Sequence, residues 1–533
     1  MTTQPARPLP VVVPPAQPGT AVLLIHAPYP ARPRFDGLPS SLLSASARLV
    51  EHLTERGIPF GLMDPGSSSE AFYESLELIL RFGSVRVVCI STSTAAIEET
   101  VRIARMVRAV CGSTPLVVAG GPHEDACRLK IAEAIPEVDV SVAGDGEFVL
   151  LALVREFLTL AETTRAVSTT LKVFEGGQPT LRGRGTITSR AWGTPFGRAF
   201  NFGPTAVESF HTRCQVTRPV RFDVFPGGVA VPLTISRGCS YGLCTFCSEG
   251  GPGVKAQVTS AFEWIRDLSA RHPGVPLYFQ DSIFPATRTV RQNLLPLLEE
   301  LGVEWGCQVY LPSLSKKLVA DLVEHGCTYL YTGIESGSDA ILRSIGKVAL
   351  TRDLIIERLD WFSEHGVRAG LSLMLGALSE DGRLLETAAS VDSTVSLAEE
   401  LLDRGVLVAG FYPNIQTILP GTALDHGLAR RGLPLDFYRM PREPEFADFE
   451  DGGVGYNFLT IERVTSPERS LADLIIAAAK IIEERFTAVR STSFGRPPGA
   501  RSSLLPGRRG DAPGTGGSSR PYEVPWRGGW PGS

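Results

Sequence analysis

Several features are missing from this 533-residue sequence, and each absence excludes a class of function. No apolar run approaches the ~18 residues that a membrane-spanning helix needs, so no partner membrane is expected. Basic charge is not in excess: 52 Lys and Arg stand against 57 Asp and Glu, which gives no reason in bulk charge to expect nucleic acid. The start of the chain, Met1 to Gly19, is rich in proline and lacks a basic stretch followed by a continuous apolar core, so no secretory signal is read there. The 9 cysteines form no regular framework, and an odd number fits a reducing cytosol better than a disulfide scaffold; a cytoplasmic protein is expected. No internal repeat is found.

What is present is ordinary for a globular protein, with 43% apolar and 20% charged residues, and the length allows two or three domains with cores of their own. The proline-rich arm 1–19 is expected to be disordered. Over 20–160, strand-like runs alternate with helical spacing: Ala21 to Ile25, a helix Leu42 to Arg56, Pro59 to Met63, Val85 to Ile90, a helix from Ile97, Leu116 to Val118 and Val138 to Val142. Such alternation predicts a parallel sheet with ligand loops at the carboxyl ends of its strands. Residues 161–230 are irregular and read as a linker, with short strand-like pieces at Thr169 to Phe174 and Thr180 to Thr188.

From 231 to 430 strand and helix alternate again. Strands are expected at Leu233 to Ile235, Pro276 to Phe279, Val303 to Gln308, Tyr329 to Ile334, Gly370 to Met374 and Val406 to Phe411, and six successive βα units make a partial (β/α)6 barrel. An accessory region follows at 431–489, including a helix Leu471 to Phe486. The tail 490–533 is dominated by Gly, Pro, Ser and Arg and is expected to be disordered, with Tyr522, Trp526 and Trp530 as possible contact points.

The chemistry is concentrated directly after the first strand of the second domain. Cys239, Cys244 and Cys247 place three thiols within nine residues of a glycine-containing loop, with Tyr241 and Phe246 as apolar cover. Closed zinc sites take four protein ligands. Three thiolates instead suit a [4Fe–4S] cluster, which then keeps one iron open to a small molecule. A zinc knuckle completed by Cys214, Cys307 or Cys327, or plain thiols, are the alternatives. Other strand ends offer Glu335 in Gly333-Ile-Glu-Ser-Gly-Ser338, Asp281, Gln308 with Tyr310, Ser372 and Asn414; Arg237 and Lys255 flank the loop.

The cysteine loop resembles the signature of the radical S-adenosylmethionine (SAM) superfamily, C-x3-C-x2-C with an aromatic before the last Cys, although four residues, Ser240 to Leu243, separate the first two cysteines here. The first domain, in order and wording, resembles the Rossmann-like (flavodoxin-like) cobalamin-binding domain that precedes the barrel in cobalamin-dependent radical SAM enzymes. The resemblance implies that Cys239, Cys244 and Cys247 hold the cluster, that Phe246, Glu335 and Ser336 attend SAM, and that Ser91, Thr92, Ser93, Gly120, Gly121, Gly144 and Glu147 line a cobalamin pocket. The D-x-H-x-x-G sequence that gives cobalt a histidine is absent, and His123 reads as a turn residue, so the lower face of the corrin is expected to lack a histidine ligand. A sheet that binds flavin, or none of these ligands, is the plain alternative for this domain.

What the family likeness implies is reductive cleavage of SAM fed by a low-potential donor such as flavodoxin or ferredoxin, and transfer of a methyl group from cobalamin to an unactivated carbon of a natural product or peptide. Cofactors carry the hard steps, and no side chain is assigned as a catalytic nucleophile. A cobalamin-assisted rearrangement or cyclisation, and a zinc-stabilised nucleotide-binding scaffold, are the rival readings.

Overall fold

The structure is a computed structural model, and it describes mainly residues 21–29, 57–64, 68–143, 220–249 apart from Thr234, 262–446, 454–461 and 466–493, with short strands elsewhere. The arm 1–19 but for Val11–Val12, the expected helix Leu42 to Arg56 apart from Leu53, and the tail beyond 493 lie outside the described residues, as do Gly144, Glu147, Cys214, Lys255 and the side chain of Arg237.

The first sheet is built from β1 (Val22–His26), β2 (Phe60–Asp64), β3 (Val87–Ser91), β4 (Leu116–Gly120), β5 (Val140–Ala143) and β6 (Gly185–Thr188), parallel in the order β2-β1-β3-β4-β5-β6, with Val11–Val12 of the amino-terminal arm as an antiparallel edge on β2. Every residue of β1 and β5 is buried, as parallel strands covered on both faces require. The order reverses between β1 and β3, the place at which open parallel sheets commonly bind ligands. Helix α1 (Glu70–Phe82) was not among the expected elements. Its signals are nonetheless local: the Ser69 hydroxyl accepts from the Phe72 amide, and Phe72, Tyr73, Leu76 and Leu80 recur at helical spacing on the buried face. Helix α2 (Ile97–Cys111) packs beside it, and two short helices, α3 (Pro122–Ala126) and α4 (Ile131–Ala134), follow β4.

The second sheet is a curled, parallel half-barrel. Its strands are β7 (Val229–Leu233), β8 (Leu277–Phe279), β9 (Trp305–Gln308), β10 (Cys327–Glu335), β11 (Arg368–Leu375) and β12 (Val408–Ile415), hydrogen-bonded in that sequential order. The intervening helices are α5 (Phe262–Arg271), α6 (Leu295–Leu301), α7 (Lys316–Glu324), α8 (Asp339–Ser344), α9 (Arg352–Glu364) and α10 (Ala388–Asp403). Trp305, Leu330, Leu371 and Phe411 face these helices in one continuous apolar layer.

Strand β7 ends earlier than the expected Leu233 to Ile235. The reason is polar: the Asp281 carboxylate accepts from the Ile235 amide at 3.1 Å and from the Ser236 hydroxyl, which draws the chain out of the sheet just after Leu233. Two parts of the expected linker also belong to the sheets, Gly185–Thr188 as β6 and Val220–Arg221 as an antiparallel edge on β7.

Helix α11 (Ala423–Arg430) is followed by a segment that precedes α12 (Ser466–Ser493). Phe437, Met440 and Val454 from this return segment sit in the core packed on the first sheet, while Phe446 and Phe458 join a third cluster with Leu375, Ile415 and Ile475. One segment thus serves two cores. Arg128 bonds the Asp425 carboxylate at 2.9 Å, and Gly421 lies so close to Ala126 that a β-carbon on it would stand 2.9 Å from the Ala126 carbonyl oxygen. Residues just past the carboxyl ends of β4 and β12 therefore touch.

Truncating Phe437 to Ala should destabilise the full-length protein by about 3–5 kcal/mol, the usual cost of emptying a buried phenylalanine site. Urea unfolding measures this, and limited proteolysis of the variant should cut first in the sheet of β1–β6.

Candidate functional site

The cysteine loop leaves the carboxyl end of β7 and is closed at its base by a two-residue antiparallel ladder, Ser236–Arg237 with Ala256–Gln257. Gly238 and Gly242 take φ of 86° and 62°, values that only glycine adopts without cost, and they wind the loop tightly enough for the Gly242 amide to donate to Cys239 Sγ at 3.3 Å. The loop rests on the turn after α8. Thr245 donates its amide to the Ile345 carbonyl at 3.0 Å, and the Tyr241 hydroxyl donates to the Gly346 carbonyl. Gly346 has no room for a side chain, since a β-carbon would lie 2.2 Å from the Leu243 carbonyl oxygen. The Tyr241 ring lies against Tyr310 at 4.4 Å between centroids, and Phe246 packs on the main apolar layer of the half-barrel and on the third cluster.

All three sulfurs are free thiols with partial exposure. Burial pushes the Cys244 thiol up to about 12 and moves Cys247 upward as well; neighbouring negative groups, the other cysteines among them, add to this, and the Lys347 ammonium opposes it. A positively charged occupant would take these part-buried sulfurs as thiolates. Among the described residues no three His, Cys, Asp or Glu side chains converge as one metal ion would need. Three thiols on one loop match the donor number of a [4Fe–4S] cluster with one open iron, one short of the four protein ligands of a closed zinc site. Cys307 and Cys327 are buried in the layer between sheet and helices and do not complete a zinc site with the loop.

Beside the cysteines, Glu335 ends β10 with φ of 58°, and among the described residues no other non-glycine has a positive φ. Backbone held in that region costs free energy and persists where the surroundings impose it. Here the imposing group is Lys347, whose Nζ donates to Glu335 Oε1 at 2.7 Å and to the Gly333 carbonyl at 2.8 Å, with both charged side chains nearly buried. Gly333 is obligatory under this pair, because its β-carbon would meet Glu335 Oε1 at 2.1 Å. Nothing in sequence spacing pointed to Lys347; burial is its only signal. Ser336 is fully buried and its hydroxyl is 3.0 Å from that of Thr394, so the side chain serves the turn.

The concave face of the half-barrel shows an alternation. Gln308, Tyr331, Ser372 and Asn414 are half-exposed and Tyr412 is exposed, whereas Cys307, Leu330, Leu371 and Phe411 between them are buried. Tyr331 and Tyr412 stand 5.7 Å apart, and Asn414 donates to Ser372 at 3.3 Å. Phe222, Phe225, Tyr278 and Tyr329 pack together at the amino end of the strands and close that end. Asp281, a candidate for this face, instead braces the chain leading into the cysteine loop.

In the first sheet Ser91 closes β3 at the point where the strand order reverses, and its carbonyl accepts from Ala27 at 2.9 Å. Thr92 is buried and bonded to Thr100 at 2.7 Å. The Ser93 hydroxyl is buried with no hydrogen-bond partner among the described residues. Gly121, at φ of 104°, lies against Thr92: its β-carbon would stand 2.8 Å from the Thr92 carbonyl oxygen. Gly120 abuts β5 in the same way. His123 is fully buried among Thr94, Cys127 and the Tyr438 ring, and burial pulls it down to about 4, so it is a neutral core histidine.

Comparison with known proteins adds the decisive observation: residues 233–390, from the end of β7 into α10, match the radical SAM superfamily. This segment is a radical SAM domain. The cysteine loop and the Glu335–Lys347 pair both fall inside it. An uncharacterized methyltransferase of Pyrococcus horikoshii is 25% identical over 365 residues, 67% of this chain and 72% of its own. Among solved structures, the radical SAM methyltransferase TsrM from Kitasatospora setae, with cobalamin and a [4Fe–4S] cluster bound, superposes with a TM-score of 0.53 at 15% identity over 77% of each chain. OxsB, a cobalamin-dependent SAM radical enzyme with aqua-cobalamin and SAM bound, gives a TM-score of 0.52 at 13% identity over 90% of this chain and 67% of its own. At such identities the two structures speak for the shared fold.

Within the radical SAM domain, burial raises the Asp281 carboxyl to about 6. A folded-state value above the ordinary one means that the protonated form stabilises the fold; this contribution is full below pH ~4 and is lost as pH rises through about 6. Asp281→Asn should therefore flatten the fall in unfolding free energy between pH 4 and 7 by on the order of 2–3 kcal/mol relative to the parent. Urea titrations across that range check it, and an unchanged profile would show the carboxyl to be ionised throughout.

Proposed function

We propose that the protein is a cobalamin-dependent radical SAM methyltransferase that acts on an unactivated carbon of a natural product or peptide. The observation that carries this reading is the three-cysteine loop at the carboxyl end of the first strand of a parallel half-barrel, with a second parallel sheet whose own carboxyl-end residues touch the segment that follows the last strand of that half-barrel. Cys239, Cys244 and Cys247 would hold a [4Fe–4S] cluster, and Ser91, Thr92, Ser93, Gly120 and Gly121, with Gly144 and Glu147 from outside the described residues, would line the cobalamin pocket of a Rossmann-like domain. When bound, the cluster with SAM supplies one-electron cleavage of a carbon–sulfur bond, and cobalamin supplies a transferable methyl group.

The chain's own residues do the positioning. Gly346 and Tyr241 seat the cysteine loop, and Lys347 holds Glu335 at the end of β10, where the carboxylate, with Phe246 and Ser336 nearby in the fold, would face SAM. The buried Ser93 hydroxyl, just past the carboxyl end of β3 and without a partner among the described residues, is a polar atom that a ligand amide or phosphate would satisfy. His123 is enclosed and neutral, which supports a corrin whose lower face has no histidine from this residue. The half-exposed wall of Gln308, Tyr331, Ser372, Tyr412 and Asn414 offers a substrate hydrogen bonds and aromatic surface without net charge. The relative TsrM has been solved with a tryptophan substrate, which supports a small molecule or peptide as the class bound here. A flavodoxin or ferredoxin would supply the electron.

Anaerobic purification followed by iron, sulfide and cobalt analysis tests the reading. The parent should carry iron with acid-labile sulfide and retain hydroxocobalamin on gel filtration. Cys239→Ala, Cys244→Ala and Cys247→Ala should each abolish SAM cleavage and lose the cluster absorbance. A substrate turned over by the parent should gain one CH2 unit. Zinc without sulfide would end the proposal, and a product of unchanged mass would favour rearrangement.

A further inference from the structure

Strand β9 ends at Gln308, and Tyr310 follows it on the same side of the chain, with Val309 between them turned into the core. Tyr310 is pinned through its backbone: its carbonyl accepts from the Ser313 amide at 2.9 Å and from the Ser313 hydroxyl at 2.7 Å. Its ring lies along that of Tyr241, 4.4 Å away and tilted by 35°, so the phenol runs beside the loop that joins Cys239 to Cys244. The two hydroxyls differ. Tyr241 donates to the Gly346 carbonyl, whereas the Tyr310 hydroxyl is buried with no hydrogen-bond partner among the described residues. A hydroxyl left so is destabilising until it finds an acceptor. Burial, then Tyr241, then the Cys244 and Cys239 thiols hold the phenol above its ordinary range, which places both sulfurs within its electrostatic reach. The sulfurs differ in turn: Cys239 Sγ accepts from the Gly242 amide at 3.3 Å and the backbone at Glu249 hydrogen-bonds Cys247, but Cys244 has no donor among the described residues. Lys347, the cation nearest this nest, gives its bonds to Glu335 and Gly333.

We infer that the Tyr310 hydroxyl donates a hydrogen bond to the Cys244 thiolate of the bound cluster, and that Tyr310 is thereby a positioning residue that raises the reduction potential of the centre. The inference rests on the cluster proposed above and deepens that reading. A protonated thiol is a weak acceptor, whereas the thiolate formed on binding iron is a strong one, so the bond belongs to the loaded state. A donor to a ligand sulfur withdraws electron density from the irons and stabilises the extra charge of the reduced cluster. The missing partner of Tyr310 and the missing donor of Cys244 are then satisfied by one contact.

The test uses the full-length protein reconstituted anaerobically with iron and sulfide, without SAM. Tyr310→Phe removes the hydroxyl and keeps the ring against Tyr241, so iron and sulfide content should match the parent. Resonance Raman should show the terminal iron–thiolate stretches shifted upward in the variant with the bridging modes in place, and a redox titration followed by electron paramagnetic resonance should give a more negative potential. Replacing Tyr310 by 3-fluorotyrosine, whose more acidic phenol is the better donor, should move the potential in the opposite direction, which a merely structural role would not do. Potentials and terminal stretches equal to the parent in both proteins would overturn the inference. So would shifts confined to the bridging modes, or shifts that appear only after SAM is added. If Tyr310→Phe does not retain the cluster, an unchanged potential in the fluorinated protein overturns it alone. Zinc without acid-labile sulfide in the parent would instead overturn the function on which the inference rests.

Discussion

A single buried ion pair ties the candidate site together. Lys347 reaches from the turn after α8 to Glu335 at the end of β10, and that turn is also the seat of the cysteine loop. Taking both charges out of water is costly, and the pair persists because the Gly333 carbonyl adds a second bond to the ammonium. Removing either partner would leave an uncompensated buried charge, which typically costs about 3–5 kcal/mol. The positive φ of Glu335 and the absence of a β-carbon at Gly333 follow from accommodating this contact, while Gly346, next to Lys347, meets the cysteine loop at Leu243.

A second constraint joins the two sheets. The return segment after α11 gives Phe437, Met440 and Val454 to one core and Phe446 and Phe458 to another, so neither core is complete without it. Tyr438 seals His123 and donates to the Leu129 carbonyl at 2.8 Å, while Arg128 grips Asp425. These contacts lie beyond the carboxyl ends of β4 and β12, the ends at which parallel sheets bind ligands.

Much of the architecture was legible because it rests on local signals. Continuous apolar runs such as Ala21 to Ile25 announce strands buried on both faces, and helical spacing between them announces crossovers. Strand ends were less legible where a distant group decides them: β7 stops at Leu233 because Asp281, far along the chain, captures the Ile235 amide. The helix α1 could have been read from Ser69 and its apolar stripe. In the site, clustered cysteines were visible as spacing, whereas Lys347 is an ordinary lysine until burial distinguishes it, and Ser336 looks available until Thr394 is seen to occupy its hydroxyl.

The order of strands and helices, the place of the three thiols after a strand, and the family likeness that follows from them were determined by the sequence alone, because each depends on residues near one another in the chain. Tertiary structure decided the rest: which lysine holds Glu335, which turn seats the cysteine loop, that Asp281 braces that loop, and that a late segment completes an early core. These depend on groups brought together across tens to hundreds of residues, and their energies come from burial and close approach, which no spacing pattern encodes.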